Sequence, residues 1–275
     1  MSTENRNPKS HGLDRMSASE IVELCIEEEN IALEKVTQAQ SQISEAAAHI
    51  AETYKNGGRI VYVGAGTSSR IALADIADLP NSFGIEPDKF LILVAGGERA
   101  LTQSVADVED DVHAPIVELN EIGLNRKDIL IGISASGKTP FVLSAIRHAN
   151  QKGVWTCGIT NSPQSGLVTE TSLGILLDTG PEIITGATRM KAATAQKLAL
   201  TSMSSAAMVM CGRVVENLMV DIYPKNQKLK ERSIKAIRDL TTVSELEAKQ
   251  LLEQNQWNTR KVLEIIRTSR EVELL

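Results

Sequence analysis

Two stretches place glycine and hydroxyl side chains directly after an apolar run. In VYVGAGTSSR (61–70), Gly64-Ala65-Gly66 passes at once into Thr67, Ser68 and Ser69; in ILIGISASGKTP (129–140), Ser134, Ser136, Gly137 and Thr139 follow the run. Glycine allows a tight turn that brings backbone N–H groups against a ligand, and a helix starting there presents its positive end. Alcohol groups add further donors, which suits a compact phosphate monoester held by many short hydrogen bonds. Neither stretch is a nucleotide loop. Ser69 occupies the third glycine position of G-x-G-x-x-G, and G-x-x-x-x-G-K-[ST] is absent. An ordinary strand-to-helix turn is the competing account of the first stretch taken alone. A third strand end, ITNSPQSG, brings Asn161 and Ser162 to the same rim.

Acidic side chains in the segments that follow the first loop include Asp78 in ADIADLP, Glu98 after the glycine pair of AGGE, and Glu109 in VADVEDD. On composition alone, Glu109 belongs with Asp107, Asp110 and Asp111 to a solvated acidic face, and Glu98 starts a helix. His113 lies four residues after Glu109, while His11, His49 and His148 form no ligand-spaced cluster, so no metal is expected. The three cysteines, Cys25, Cys157 and Cys211, are far apart in apolar surroundings and are given no chemistry; they suit a reducing cytoplasm.

The elements that must position these residues are read from periodicity. Ser17 and Glu20 form a capping box that opens a helical stretch running to about Tyr54, where Asn56-Gly57-Gly58 stops it. Short continuous apolar runs at 59–63, 90–95, 128–133, 154–159 and 173–178 then alternate with helical segments. That pattern predicts an α/β fold with a five-stranded parallel sheet buried on both faces. In such a sheet ligands bind beyond the carboxyl ends of the strands, so both hydroxyl-rich loops face one edge. A second helical stretch over 188–218 carries few charges and is apolar enough to predict a subunit interface. Composition turns charged beyond Tyr223-Pro224, which divides the chain into residues 1–224 and a small helical region over 225–275.

The 275 residues carry a formal charge of −6, which argues against a nucleic-acid partner. The polar start MSTENRNPKSHG and the lack of a run of about 18 apolar residues predict neither export nor membrane insertion.

The pair GAGTSSR and SASGKTP resembles the phosphosugar-binding loops of the sugar isomerase (SIS) domain. TENRNP, LVAGGERAL, VEDD, GPEIITGATRMKAATAQK (180–197) and NLMVD narrow the resemblance to the N-acetylmuramic acid 6-phosphate etherases, relatives of the glucokinase regulatory proteins. The resemblance covers nearly the whole chain. It implies a SIS fold, a flavodoxin-like three-layer sandwich, in a homodimer acting on a small phosphosugar without cofactor. The reaction it implies releases D-lactate and leaves N-acetylglucosamine 6-phosphate, and a non-catalytic phosphosugar-binding regulator is the alternative. Phosphate would sit on Gly66, Thr67, Ser68, Ser69, Ser134, Ser136, Gly137 and Thr139. The family's two catalytic glutamates carry over onto Glu109, as base, and onto Asp78, as leaving-group acid, where this chain has the shorter side chain. Glu98 and Glu182 would hold sugar hydroxyls and Lys191 an anion. Thr185 lies in the same block; Ser69 and Ala193 stand where relatives usually carry glycine.

Overall fold

The structure, a computed structural model, describes residues 3–103, 105–222 and 224–273. Helix α1 (Ala18–Gln38) opens on the expected capping box, in which Ser17 N donates to Glu20 Oε2 at 2.7 Å and Glu20 N donates to Ser17 Oγ at 3.4 Å. It ends at Ala39, from which α2 (Gln40–Lys55) starts, so the first helical stretch is two helices. Then come β1 (Ile60–Gly64), α3 (Gly66–Phe83), β2 (Phe90–Val94), α4 (Arg99–Thr102), α5 (Ala114–Glu121), β3 (Ile129–Ser134) and α6 (Pro140–Gln151). The order continues with β4 (Trp155–Thr160), α7 (Gly166–Thr169), β5 (Leu173–Leu176) and α8 (Lys191–Met210). After α8 come the short hairpin β6 (Val214–Val215) and β7 (Leu218–Met219), then α9 (Gln227–Leu240), α10 (Glu245–Gln254) and α11 (Thr259–Glu273). The hairpin corrects the expectation of helix through residue 218: Gly212, at φ 73°, turns the chain out of the helix.

By its internal contacts the chain divides into two units, Met1–Ile76 with Asp88–Ala207, and Ala77–Pro87 with Met208–Leu275. In the first unit the five apolar runs form one parallel sheet of order β2-β1-β3-β4-β5. Every residue of β1 and β3 is buried, which is why these strands are apolar without alternation. Val61, Val63 and Leu130 meet Phe141, Val142, Ala145 and Ile146 of α6 on one face, with Leu119 of α5 beside them. A right-handed crossover from β1 to β2 runs opposite in direction to the one from β3 to β4, which puts α3 on the other face from α6 and gives three layers. Arg59 and Asp128, just before β1 and β3, lock the other end of the central pair: Arg59 Nε donates to Asp128 Oδ1 at 3.1 Å and Nη2 to Oδ2 at 2.7 Å.

The second unit has its own core of Val220, Ile237, Ala248, Leu252, Val262, Leu263 and Ile266. Arg260 grips Asp221 with Nε at 2.6 Å and Nη2 at 2.8 Å. Among the described residues no helix is long and apolar enough to cross a membrane.

Candidate functional site

Strands β1 and β3 are hydrogen-bonded neighbours, with Gly64 opposite Ile133. The chain leaves β1 toward β2 on one side and leaves β3 toward β4 on the other, so the strand order reverses between them. That reversal is where open parallel sheets bind ligands, and both hydroxyl-rich loops emerge there. Gly66, at φ 54° and exposed, turns the chain from β1 into α3. Thr67 and Ser68 come next, in the first turn of the helix, where backbone N–H groups have no partner within the helix. Ser69 is oriented differently from its companions: it is fully buried and its Oγ donates back to the Gly66 carbonyl at 2.8 Å. Its hydroxyl therefore closes the turn from within, a helical back-bond rather than a donor aimed at a ligand.

In the second loop three alcohols converge. Ser134 Oγ lies 2.8 Å from Thr139 Oγ1 and 3.3 Å from Ser136 Oγ, and accepts from Gly137 N at 3.1 Å. Gly137 has φ 64°, and a Cβ there would lie 1.8 Å from Ser165 Oγ, so only glycine fits. Ser165 Oγ in turn donates to the Gly137 carbonyl at 3.1 Å, fixing the loop from the β4 side. Pro140 occupies the first position of α6. Asn161, from the third strand end, does not join the rim. It is buried, donates to the Leu177 carbonyl at 2.9 Å and accepts from Gln196 Nε2 at 2.9 Å.

After β2, Gly96 and Gly97 turn the chain and Glu98 stands exposed before α4. Glu109 is exposed in a 3-10 turn over Val108–Asp110 that packs against α6. Val108 beside it is set against the core cluster that includes Phe141 and Val142. The base candidate is thus carried by a turn lodged against the helix that the second loop begins. Asp78 is exposed on the later part of α3, in the second unit.

The block 180–197 meets a different arrangement from the one expected. Lys191 is not exposed to a ligand: its ammonium ion-pairs with Glu28 of α1, with side chains only 2% and 5% exposed. Asn7, from the TENRNP arm, donates to the same Glu28 oxygen at 2.8 Å and to the Pro181 carbonyl at 3.1 Å. Burial would raise the Glu28 carboxyl, but Lys191, Asn7 and Lys9 together hold it below its ordinary value. Glu182 is also buried; its two oxygens accept from Ala192 N at 2.9 Å and Lys191 N at 3.3 Å, capping α8. Burial nevertheless pushes its carboxyl above the usual range. A buried carboxylate bonded to two helix amides stabilises the start of α8 and leaves little for a sugar hydroxyl. Thr185 is exposed.

Three features are not evident from the amino-acid order. Arg70 binds carbonyls of the α4 segment, and its one signal is a charge closing GAGTSSR. Glu28 sits inside an acidic run, EEEN, that looks solvated, and Asn7 lies in a polar arm, so neither announces its burial. Among the described residues no three His, Cys, Asp or Glu side chains gather as a metal site.

Residues 42–150 match the family model "Glucokinase regulatory protein N-terminal SIS domain" and residues 121–206 match the model "SIS domain". A phosphoheptose isomerase from Francisella tularensis is similar in structure, with a TM-score of 0.56 at 19% identity over 72% of this chain and 100% of that one. In sequence, the N-acetylmuramic acid 6-phosphate etherase of Lactobacillus acidophilus is 38% identical, over 98% of this chain and 90% of that protein. That of Francisella tularensis subsp. novicida is 42% identical over 88% of this chain and 83% of the relative. That of Actinobacillus pleuropneumoniae serotype 5b is 39% identical over 88% and 79%. With a SIS sheet, both hydroxyl-rich loops at its switch point and this identity along nearly its whole length, the chain belongs to the N-acetylmuramic acid 6-phosphate etherase family.

Proposed function

We propose that this protein cleaves the lactyl ether of N-acetylmuramic acid 6-phosphate, eliminating D-lactate and adding water to give N-acetylglucosamine 6-phosphate. The observation that carries the reading is the convergence of the two hydroxyl-rich loops at the β1/β3 reversal, with the Glu109 turn lodged against α6. Amides and alcohols of Gly66, Thr67, Ser68, Ser134, Ser136, Gly137 and Thr139 hold the phosphate. In the opened sugar the C2 proton lies next to the C1 aldehyde and is weakly acidic. Glu109 takes that proton as the C3–O bond breaks, and an acid protonates the departing lactate oxygen. Asp78 is the acid, by its place in the family pattern. Water then adds at C3, with the proton returned to C2. Glu98, exposed beyond β2, is a partner for a sugar hydroxyl.

The protein acts in the cytoplasm as a homodimer. An apolar groove of about 300 Å³ lined by Val36, Ile43, Ala47, Leu198 and Ala206, with Val22, Ile26 and Leu33 exposed on α1, favours a second copy as cover.

Lactate release from N-acetylmuramic acid 6-phosphate tests the reading. Glu109→Gln is expected to lower kcat by roughly a hundredfold or more while binding of N-acetylglucosamine 6-phosphate persists. Phosphosugar binding without any lactate from the unaltered protein would make it a regulator instead. That alternative draws on the glucokinase regulatory protein match over residues 42–150.

A further inference from the structure

Arg70, just past the first turn of α3, reaches away from the loop that bears it. Its Nε donates to the Leu101 carbonyl at 2.9 Å, and its Nη2 donates to the Ala100 carbonyl at 2.9 Å and the Gln103 carbonyl at 3.5 Å. Helix α4 is only four residues long, so helical amides cannot satisfy its last carbonyls. A guanidinium at that end satisfies several at once and opposes the negative pole of the turn, whereas an ammonium is a point charge without the planar fork.

Helix α4 leads into the segment that carries Glu109, and two anchors bound that segment. At one end Arg70 ties α4 to the start of α3; at the other Val108 rests on the core cluster. The fold around them is tight: a Cβ on Gly96 would lie 3.1 Å from both Ala100 and Val108, and Asp107 takes the left-handed conformation at φ 60°. The Val108 end is fixed by packing on α6 and the core cluster, so it is the α4 end that loss of the Arg70 bonds lets drift.

We propose that Arg70 is a positioning residue. It mechanically joins the first phosphate loop to the Glu109 segment, so that the base is set relative to the phosphate by the Arg70–α4 bonds together with the packing of Glu109's own turn on α6. The proposal rests on the etherase reading for its kinetic test but not for its structural one.

The variants are Arg70→Lys and Arg70→Ala in the full chain. Expected is a fall in kcat on the order of 10- to 100-fold, since a base displaced by about 1 Å costs that much. The dissociation constant for N-acetylglucosamine 6-phosphate should stay within about twofold, as for a group that does not itself touch the ligand. Added guanidinium at non-denaturing concentration should return part of the lost kcat to Arg70→Ala and none to Glu109→Gln. Amide exchange in peptides spanning Arg99 to Asp110 should quicken while that of β1 and β3 is unchanged. Weakened phosphosugar binding with kcat kept would overturn the proposal by making Arg70 a phosphate contact. Unchanged kcat per folded molecule would overturn it by making Arg70 merely structural. If the unaltered protein releases no lactate, the etherase reading fails, and the exchange experiment still decides: no change over Arg99 to Asp110 sinks the positioning role.

Discussion

Lys191, the first residue of α8, and Glu28 in the middle of α1 are 163 positions apart and form a buried ion pair. With Asn7 bridging Glu28 to the Pro181 carbonyl, the pair fastens three distant parts of the chain together. Removing Lys191 leaves the buried Glu28 with Asn7 and the half-exposed Lys9 as its remaining partners. Lys191→Met should therefore destabilise the protein by about 1.5–3 kcal/mol in urea unfolding, the loss of a hydrogen bond to a charged group. Phosphosugar affinity per folded molecule should be unchanged by calorimetry; a selective loss of affinity would return Lys191 to the ligand site.

Ser134 is the hub of the second loop, touching Ser136, Thr139 and the Gly137 amide. Ser134→Ala unties the other two hydroxyls and, under the proposed function, removes one donor to the phosphate. The dissociation constant for N-acetylglucosamine 6-phosphate should rise about tenfold, matching about 1.4 kcal/mol for a hydrogen bond to a charged group. Unfolding free energy should fall by no more than about 1 kcal/mol. Titration calorimetry beside thermal unfolding separates the two effects.

Asp128 supplies a pH test. Burial would raise its carboxyl, but Arg59 and the Asn125 amide hold it below its ordinary value of 3.8. A depressed carboxyl contributes stability at pH above its unfolded value, and that contribution disappears as pH falls through the lower folded value. Urea unfolding from pH 7 down to pH 3 should show wild type losing stability below about pH 4. Asp128→Asn should start about 3 kcal/mol lower at neutral pH and show less of that acid slope, so the two curves converge. Parallel curves would rule this account out.

Asp78 is one methylene shorter than the glutamate that the family resemblance implies at its position. If reach limits proton delivery to lactate, Asp78→Glu should raise kcat severalfold with KM little changed, because misplacement by about 1 Å costs up to a hundredfold. Steady-state lactate release measures both constants. A drop in kcat would mean that the backbone already compensates for the shorter side chain.

The sheet was legible because burial on both faces forces uninterrupted Ile, Val and Leu, and each of the five apolar runs lies within a residue or two of a strand. The loops were legible because glycine beside several alcohols after such a run has few other uses. What could not be read were relations between distant parts. Lys191 looked like a free cation because its partner lies in another helix, and charge pairing leaves no local period. Ser69 looked like its neighbours Thr67 and Ser68, yet helical rotation turns its side chain inward. The halt at Ala39 had no proline or glycine to mark it, and apolar spacing persists on both sides.

The proposed phosphate seat spans the tips of two strands that are themselves bonded neighbours, Gly64 beside Ile133. Its width is consequently the backbone spacing of a parallel ladder, about 4.8 Å, plus whatever the two turns add. Changes among the rim hydroxyls can therefore accumulate while the distance between its two jaws, and so the size of anion admitted, stays nearly constant.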